Sequence, residues 1–171
     1  RGLTPLGALR GMESLLQETE RKAAEGDAVA MIHLSRWLYA GEEGLAVDHR
    51  KSFEWALRAA EAGSPEGQRM TGIKLEYGSG AGKDTAKAFE WYRKAYEGGD
   101  AEACYQLATY FEGQKGMEAH LPTAVAYYQE GAARGCGARS AASALRAISS
   151  ARPGTIPRPA RSPWRRRATS A

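Results

Sequence analysis

Asp48-His49-Arg50-Lys51-Ser52-Phe53-Glu54-Trp55 decides how this chain is read, because it returns. Asp84-x-x-Lys87-x-Phe89-Glu90-Trp91 repeats its aspartate, lysine, phenylalanine, glutamate and tryptophan, each displaced by 36 positions. A weaker third copy follows at the same interval, where Thr123, Ala124, Val125 and Tyr127 take the places of Lys87, Ala88, Phe89 and Trp91. The copies close alike, at Gly63, Gly99 and Gly135. A fixed period of this length is the mark of a repeat architecture, in which each unit buries its apolar face against its neighbours.

Upstream of each copy runs a second pattern. Ala30, Leu34, Ser35, Leu38 and Gly41 are spaced as one face of a helix, and the pattern returns as Gly67, Thr71, Gly72, Leu75 and Gly78. Ala103, Leu107, Ala108 and Phe111 form the third version, with Gly113 slightly early. Each unit therefore reads helix, turn, helix, turn. The small residues Ser35, Gly72 and Ala108 fall where two helices must approach closely.

Local chemistry agrees with these boundaries. Asp48 and Asp84 are placed as N-caps. Ser64-Pro65-Glu66 supplies a capping hydroxyl, a proline at the first helical position and an acid facing the helix dipole. Leu121-Pro122 starts another helix by the same proline argument. Gly41, Gly63, Gly78, Gly99 and Gly135 suit the left-handed conformation that ends helices.

In these residues the chain resembles the Sel-1-like repeats, relatives of the tetratricopeptide repeats with slightly longer units. The resemblance is carried by Ala30 to Gly63 and Asp84 to Gly99, and extends over roughly Lys22 to Ser149. Thr71, Leu38, Leu75, His120 and Thr123 depart from it. It implies an all-α fold: a right-handed superhelical array, or solenoid, of antiparallel helix pairs, an α/α superhelix. The expected organisation is an N-terminal segment and degenerate half-repeat cap over 1–26, repeats over 27–63, 64–99 and 100–135, and a half-repeat helix over 136–150. A disordered tail rich in arginine and proline is expected over 151–171. Thr19 stands at the tryptophan position of the worn cap. Leu145, at the small position of the last helix, argues that no further helix packs there.

With 171 residues, 43% of them hydrophobic, the chain can bury a core without metals or disulfides. Its net charge of +4 sits at the end: from Ala151 onward there are six arginines and no acid, and the remainder is slightly acidic. Cys104 and Cys136 lack the spacing of a zinc site or a disulfide framework, and each reads as a buried free thiol. No stretch approaches the roughly 20 apolar residues of a membrane helix. The compartment stays open: cytoplasmic is the default, and periplasmic or secreted locations follow if a leader once preceded Arg1.

Catalytic chemistry finds no footing. His33, His49 and His120 are scattered over different units, without metal-binding spacing, so no metal or cofactor is expected and the chain does not read as an enzyme. Glu42-Glu43 reads as a solvated turn. Gly78-Ser79-Gly80-Ala81-Gly82-Lys83 resembles a phosphate loop but follows a helix where a strand is required. Trp55, Trp91 and Tyr127, with Phe53 and Phe89, recur at the unit period and are expected in the core.

Surface remains. The first helix of each unit should line a concave face suited to a peptide or a partner helix. By helical offset from the packing stripe, that face comprises His33, Arg36 and Tyr39, then Arg69, Ile73, Glu76 and Tyr77, then Tyr105, Thr109 and Glu112. The expected function is that of a protein interaction scaffold or adaptor, the role the resemblance also implies. The alternative is weak attachment to nucleic acid or an anionic membrane through the tail, where Trp164-Arg165-Arg166-Arg167 combines charge with one aromatic ring.

Overall fold

The computed structural model describes residues 5–113, 115 and 119–135, with side chains from residue 15 onward. The half-repeat helix and the tail expected beyond Gly135, with Cys136 and Leu145, lie outside the described residues. Among those residues there are seven helices and no strand: α1 (Pro5–Ala24), α2 (Ala28–Ala40), α3 (His49–Glu61), α4 (Pro65–Tyr77), α5 (Thr85–Glu97), α6 (Ala101–Phe111) and α7 (Leu121–Ala133). The fold is all-α, in the expected helix, turn, helix, turn order. It divides into two compact units, one reaching Asp100 and carrying α1 to α5, the other carrying α6 and α7.

Capping sets the helix starts. The carboxylates of Asp48 and Asp84 accept the backbone N–H of Lys51 and Lys87, each at 2.9 Å, and the Ser64 hydroxyl accepts that of Gly67 at 3.2 Å. Asp27, which the periodicity does not single out, caps α2 in the same way through Val29 and Ala30. Left-handed glycines close the helices, all five expected positions having positive φ. Short connections then fold each helix back on the one before, so that α1 packs on α2, α2 on α3, α3 on α4 and α4 on α5.

In the first unit the core is built from Ala23, Ala30, Met31, Ile32, Leu34 and Ala59, with Leu16, Trp37, Trp55 and Met70 packed against it. The small residues do what close approach requires. A Cβ on Gly72 would stand 2.9 Å from the ring of Tyr92, so α4 can receive that ring only at a glycine. Ser35 and Ser52 occupy the matching crossing of α2 and α3. The Ser35 hydroxyl donates to the Ser52 carbonyl at 2.7 Å, and the Ser52 hydroxyl donates back to the Ser35 carbonyl. Both are fully buried, so the pair satisfies its own polar groups inside the core.

The second unit packs α6 on α7 around Ala108, Ala124 and Tyr128. Phe111 stacks on Tyr127 there, ring centroids 5.6 Å apart. Cys104 is buried, as expected.

The recurring tryptophans correct one expectation. Trp55, Trp91 and Tyr127 are half-buried, as are Phe53 and Phe89. Cations cover two of the rings: the Arg58 guanidinium lies 4.8 Å from the Trp55 centroid and the Lys94 amine 4.2 Å from that of Trp91. One position along the helix, Tyr92 and Tyr128 are buried between the helices. A side chain one residue along points about 100° further round the helix, which carries these two across the seam.

Candidate protein-binding surface

Two helices of the first unit shape one concavity. Met70, Ile73, Lys74 and Tyr77 follow one another at helical spacing and present a single face of α4, while Arg36, Tyr39 and Ala40 do the same on α2. Glu42 and Ser79, from the turns that follow, complete the lining of a cavity of about 420 Å³. Tyr39 and Tyr77 remain 51% and 75% exposed, more than aromatic rings in a settled core would be. Arg36 reaches from α2 to pair with Glu66 at the start of α4.

Lys74 is the unexpected member. Its side chain is only 5% exposed. The amine donates to the Ser52 hydroxyl at 2.7 Å and lies 4.7 Å from the centre of the Tyr39 ring. No carboxylate pairs with it among the described residues. Burial alone pulls its pKa down from 10.5 to about 8, since water that would solvate the ammonium is displaced by protein. Sequence reasoning passed over it. The signal was in the repeat, where Trp37 and Tyr110 occupy the equivalent positions and a lysine stands out against two aromatics.

Of the ten positions expected on the concave face, four line this cavity: Arg36, Tyr39, Ile73 and Tyr77. His33 is exposed on α2 with its ring 5.7 Å from that of Trp37. Arg69 is mostly buried and bonded to Asp100 at 3.0 Å, so its guanidinium ties α4 to the turn after α5. Glu76 and Thr109 correct the helical-offset argument. Glu76 is 7% exposed and receives the Tyr92 hydroxyl at 2.9 Å. Thr109 is buried, its hydroxyl donating to the Gln106 carbonyl at 2.7 Å. The offset treated every residue off the packing stripe as free, whereas the second helix of a unit folds over one flank of the first.

In the second unit, Glu112 repeats the role of Glu76 and receives the Tyr128 hydroxyl at 3.0 Å. Tyr105, 37% exposed, sets its ring edge-on to Tyr128. Burial, with Glu112 alongside, pushes the Tyr128 phenol well above its ordinary pKa.

The described residues hold no cluster of histidine, cysteine and acidic side chains fit for a metal. None of the helices is long and apolar enough to cross a membrane, among the described residues.

Comparison with known proteins places the chain in context. The Sel1 repeat family matches residues 28–64, 65–100 and 101–136. A chitin synthase regulator of Saccharomyces cerevisiae is 41% identical over 63 residues, covering 36% of this chain and 9% of that protein. A component of an ERAD-associated E3 ubiquitin-protein ligase of Arabidopsis thaliana is 34% identical over 64 residues, covering 37% of this chain and 9% of that protein. The chain thus spans less than a tenth of the length of either relative. Among solved structures, a protective antigen of uropathogenic Escherichia coli displaying an SLR fold superposes with a TM-score of 0.72 at 30% identity, over 80% of this chain and 29% of that one.

Proposed function

This chain belongs to the Sel1 repeat family, and we propose that it is a protein-binding module that seats a partner segment on the cavity between α2 and α4. Sel1 repeats serve as protein interaction modules and are typically not enzymes. The observation that carries this reading is the pair Tyr39 and Tyr77, exposed on adjacent helices at the two sides of one cavity. Large, rigid rings with a polar tip contribute contact area at low entropic cost, which is why tyrosine is enriched at interface centres. One relative is named as a chitin synthase regulator and another as a ubiquitin-protein ligase component.

A photo-crosslinking residue in place of Tyr77 tests it, beside the same residue in place of the exposed Lys87 on α5. The module reading expects a discrete crosslinked partner from position 77 and none from position 87. Equal products from both, or a product from 87 alone, would put the interface on another face.

A further inference from the structure

We propose that the cavity between α2 and α4 receives a glutamate side chain of the partner, whose carboxylate meets the Lys74 amine. This rests on the reading of that face as a protein-binding surface and names the chemistry of its partner. An ammonium has three donors, and Lys74 uses one, on Ser52. Tyr39 offers its ring face in place of a counter-charge. A buried cation without an anion is costly to keep, and Lys74 lines a concavity whose other walls are largely apolar. The depressed pKa of the amine is what such a site shows before its anion arrives.

The lining selects how the anion comes. Met70, Ile73, Tyr39 and Tyr77 line the same cavity as Lys74, so a carboxylate that enters it is best carried on an aliphatic stem that covers those walls. The two methylenes of glutamate do this while the partner's peptide groups stay in water. A chain terminus would carry its own amide N–H against apolar walls, where it would lose its hydrogen bond. The other charged and titratable groups near the cavity do not supply the anion. Arg36 is paired with Glu66, His49 on α3 sets its ring at a tilt to that of Tyr39 with centroids 5.0 Å apart, and Glu42 is exposed. Glu42 would repel a second acid, which favours a single glutamate between apolar neighbours.

The test uses the full chain and two blocked peptides, acetyl-Leu-Glu-Leu-amide and acetyl-Leu-Gln-Leu-amide, with the Lys74 side-chain NMR signal identified by its loss in Lys74→Met. Expected is a saturable shift of that signal by the glutamate peptide, a rise of its titration midpoint by about one unit, and affinity at least ~10-fold above the glutamine peptide. Equal affinities, no shift at about 10 mM peptide, or undiminished binding to a folded Lys74→Met chain would overturn it. The two readings fail separately. A partner crosslinked through position 77 that binds Lys74→Met as well as wild type removes the glutamate and leaves the binding face standing.

Discussion

The Tyr92 hydroxyl on α5 donates to the Glu76 carboxyl on α4 at 2.9 Å, and Tyr128 does the same to Glu112 at 3.0 Å, one unit later. The bond latches the second helix of a unit onto the first beneath the surface. It recurs because the second and third repeats each place a tyrosine and a glutamate 16 residues apart. In the first repeat Tyr39 and Ala56, 17 residues apart, take the corresponding places, so no such bond forms there and the Tyr39 ring lines the cavity. Tyr92→Phe should therefore destabilise the fold by about 1–3 kcal/mol, the range for a bond to a charged group. Urea unfolding measures it, and an unchanged midpoint would mean the latch contributes nothing.

The buried tyrosine, not the tryptophan beside it, should dominate the central helix pair. Tyr92→Ala is expected to cost about 3–5 kcal/mol through the cavity it leaves, and Trp91→Ala about 1–2 kcal/mol, because its ring is only partly buried and lies under the Lys94 amine. Paired thermal melts would expose an inverted order.

Gly80 shows what the glycine-rich turn is for. Its φ is +80°, and a Cβ there would lie 1.9 Å from the His49 carbonyl oxygen. The turn after α4 is thus pressed onto the start of α3, where only a hydrogen fits. Gly80→Ala should cost at least ~2 kcal/mol, while Gly82→Ala, with open space around it, should cost little. Comparable melting temperatures for the two variants would refute the contact.

Lys74 makes stability depend on pH in the alkaline range. Its folded pKa, about 8, lies below the ordinary 10.5. Below pH 8 both states hold the proton and the cost of burying it is fully present. Between about 8 and 10.5 the unfolded chain binds more protons than the folded one, so stability climbs with pH. Lys74→Met should remove that slope and raise stability at neutral pH by about 1 kcal/mol, as expected where a residue is kept for binding and not for folding. Denaturant titrations at pH 7 and pH 10 read both effects.

The period was legible in the sequence because it is written in residues with strong local preferences. Asp48 and Asp84 cap helices, Gly41 and Gly78 end them, and Gly72 admits a ring; each acts through its own backbone or its own size. The site was legible in part for the opposite reason. Tyr39 and Tyr77 follow from helical spacing alone. Glu76 reads as solvent-facing until α5 is laid across it, and Lys74 reads as an ordinary surface charge until the Ser52 hydroxyl and the Tyr39 ring close over its amine. Tertiary partners made those two positions, and no local preference announces a partner more than 15 residues away.

The central claim, that a partner segment sits between α2 and α4, is tested most directly by calorimetric titration of the crosslinked partner against wild type and the double variant Tyr39→Ser/Tyr77→Ser. Tyr77 is exposed and Tyr39 gives up its ring contact with Lys74, so the variant should stay folded with a loss of about 1–2 kcal/mol while its affinity falls at least ~30-fold, as loss of two interface anchors requires. An affinity equal to that of wild type, in a variant that is still folded, would contradict the account.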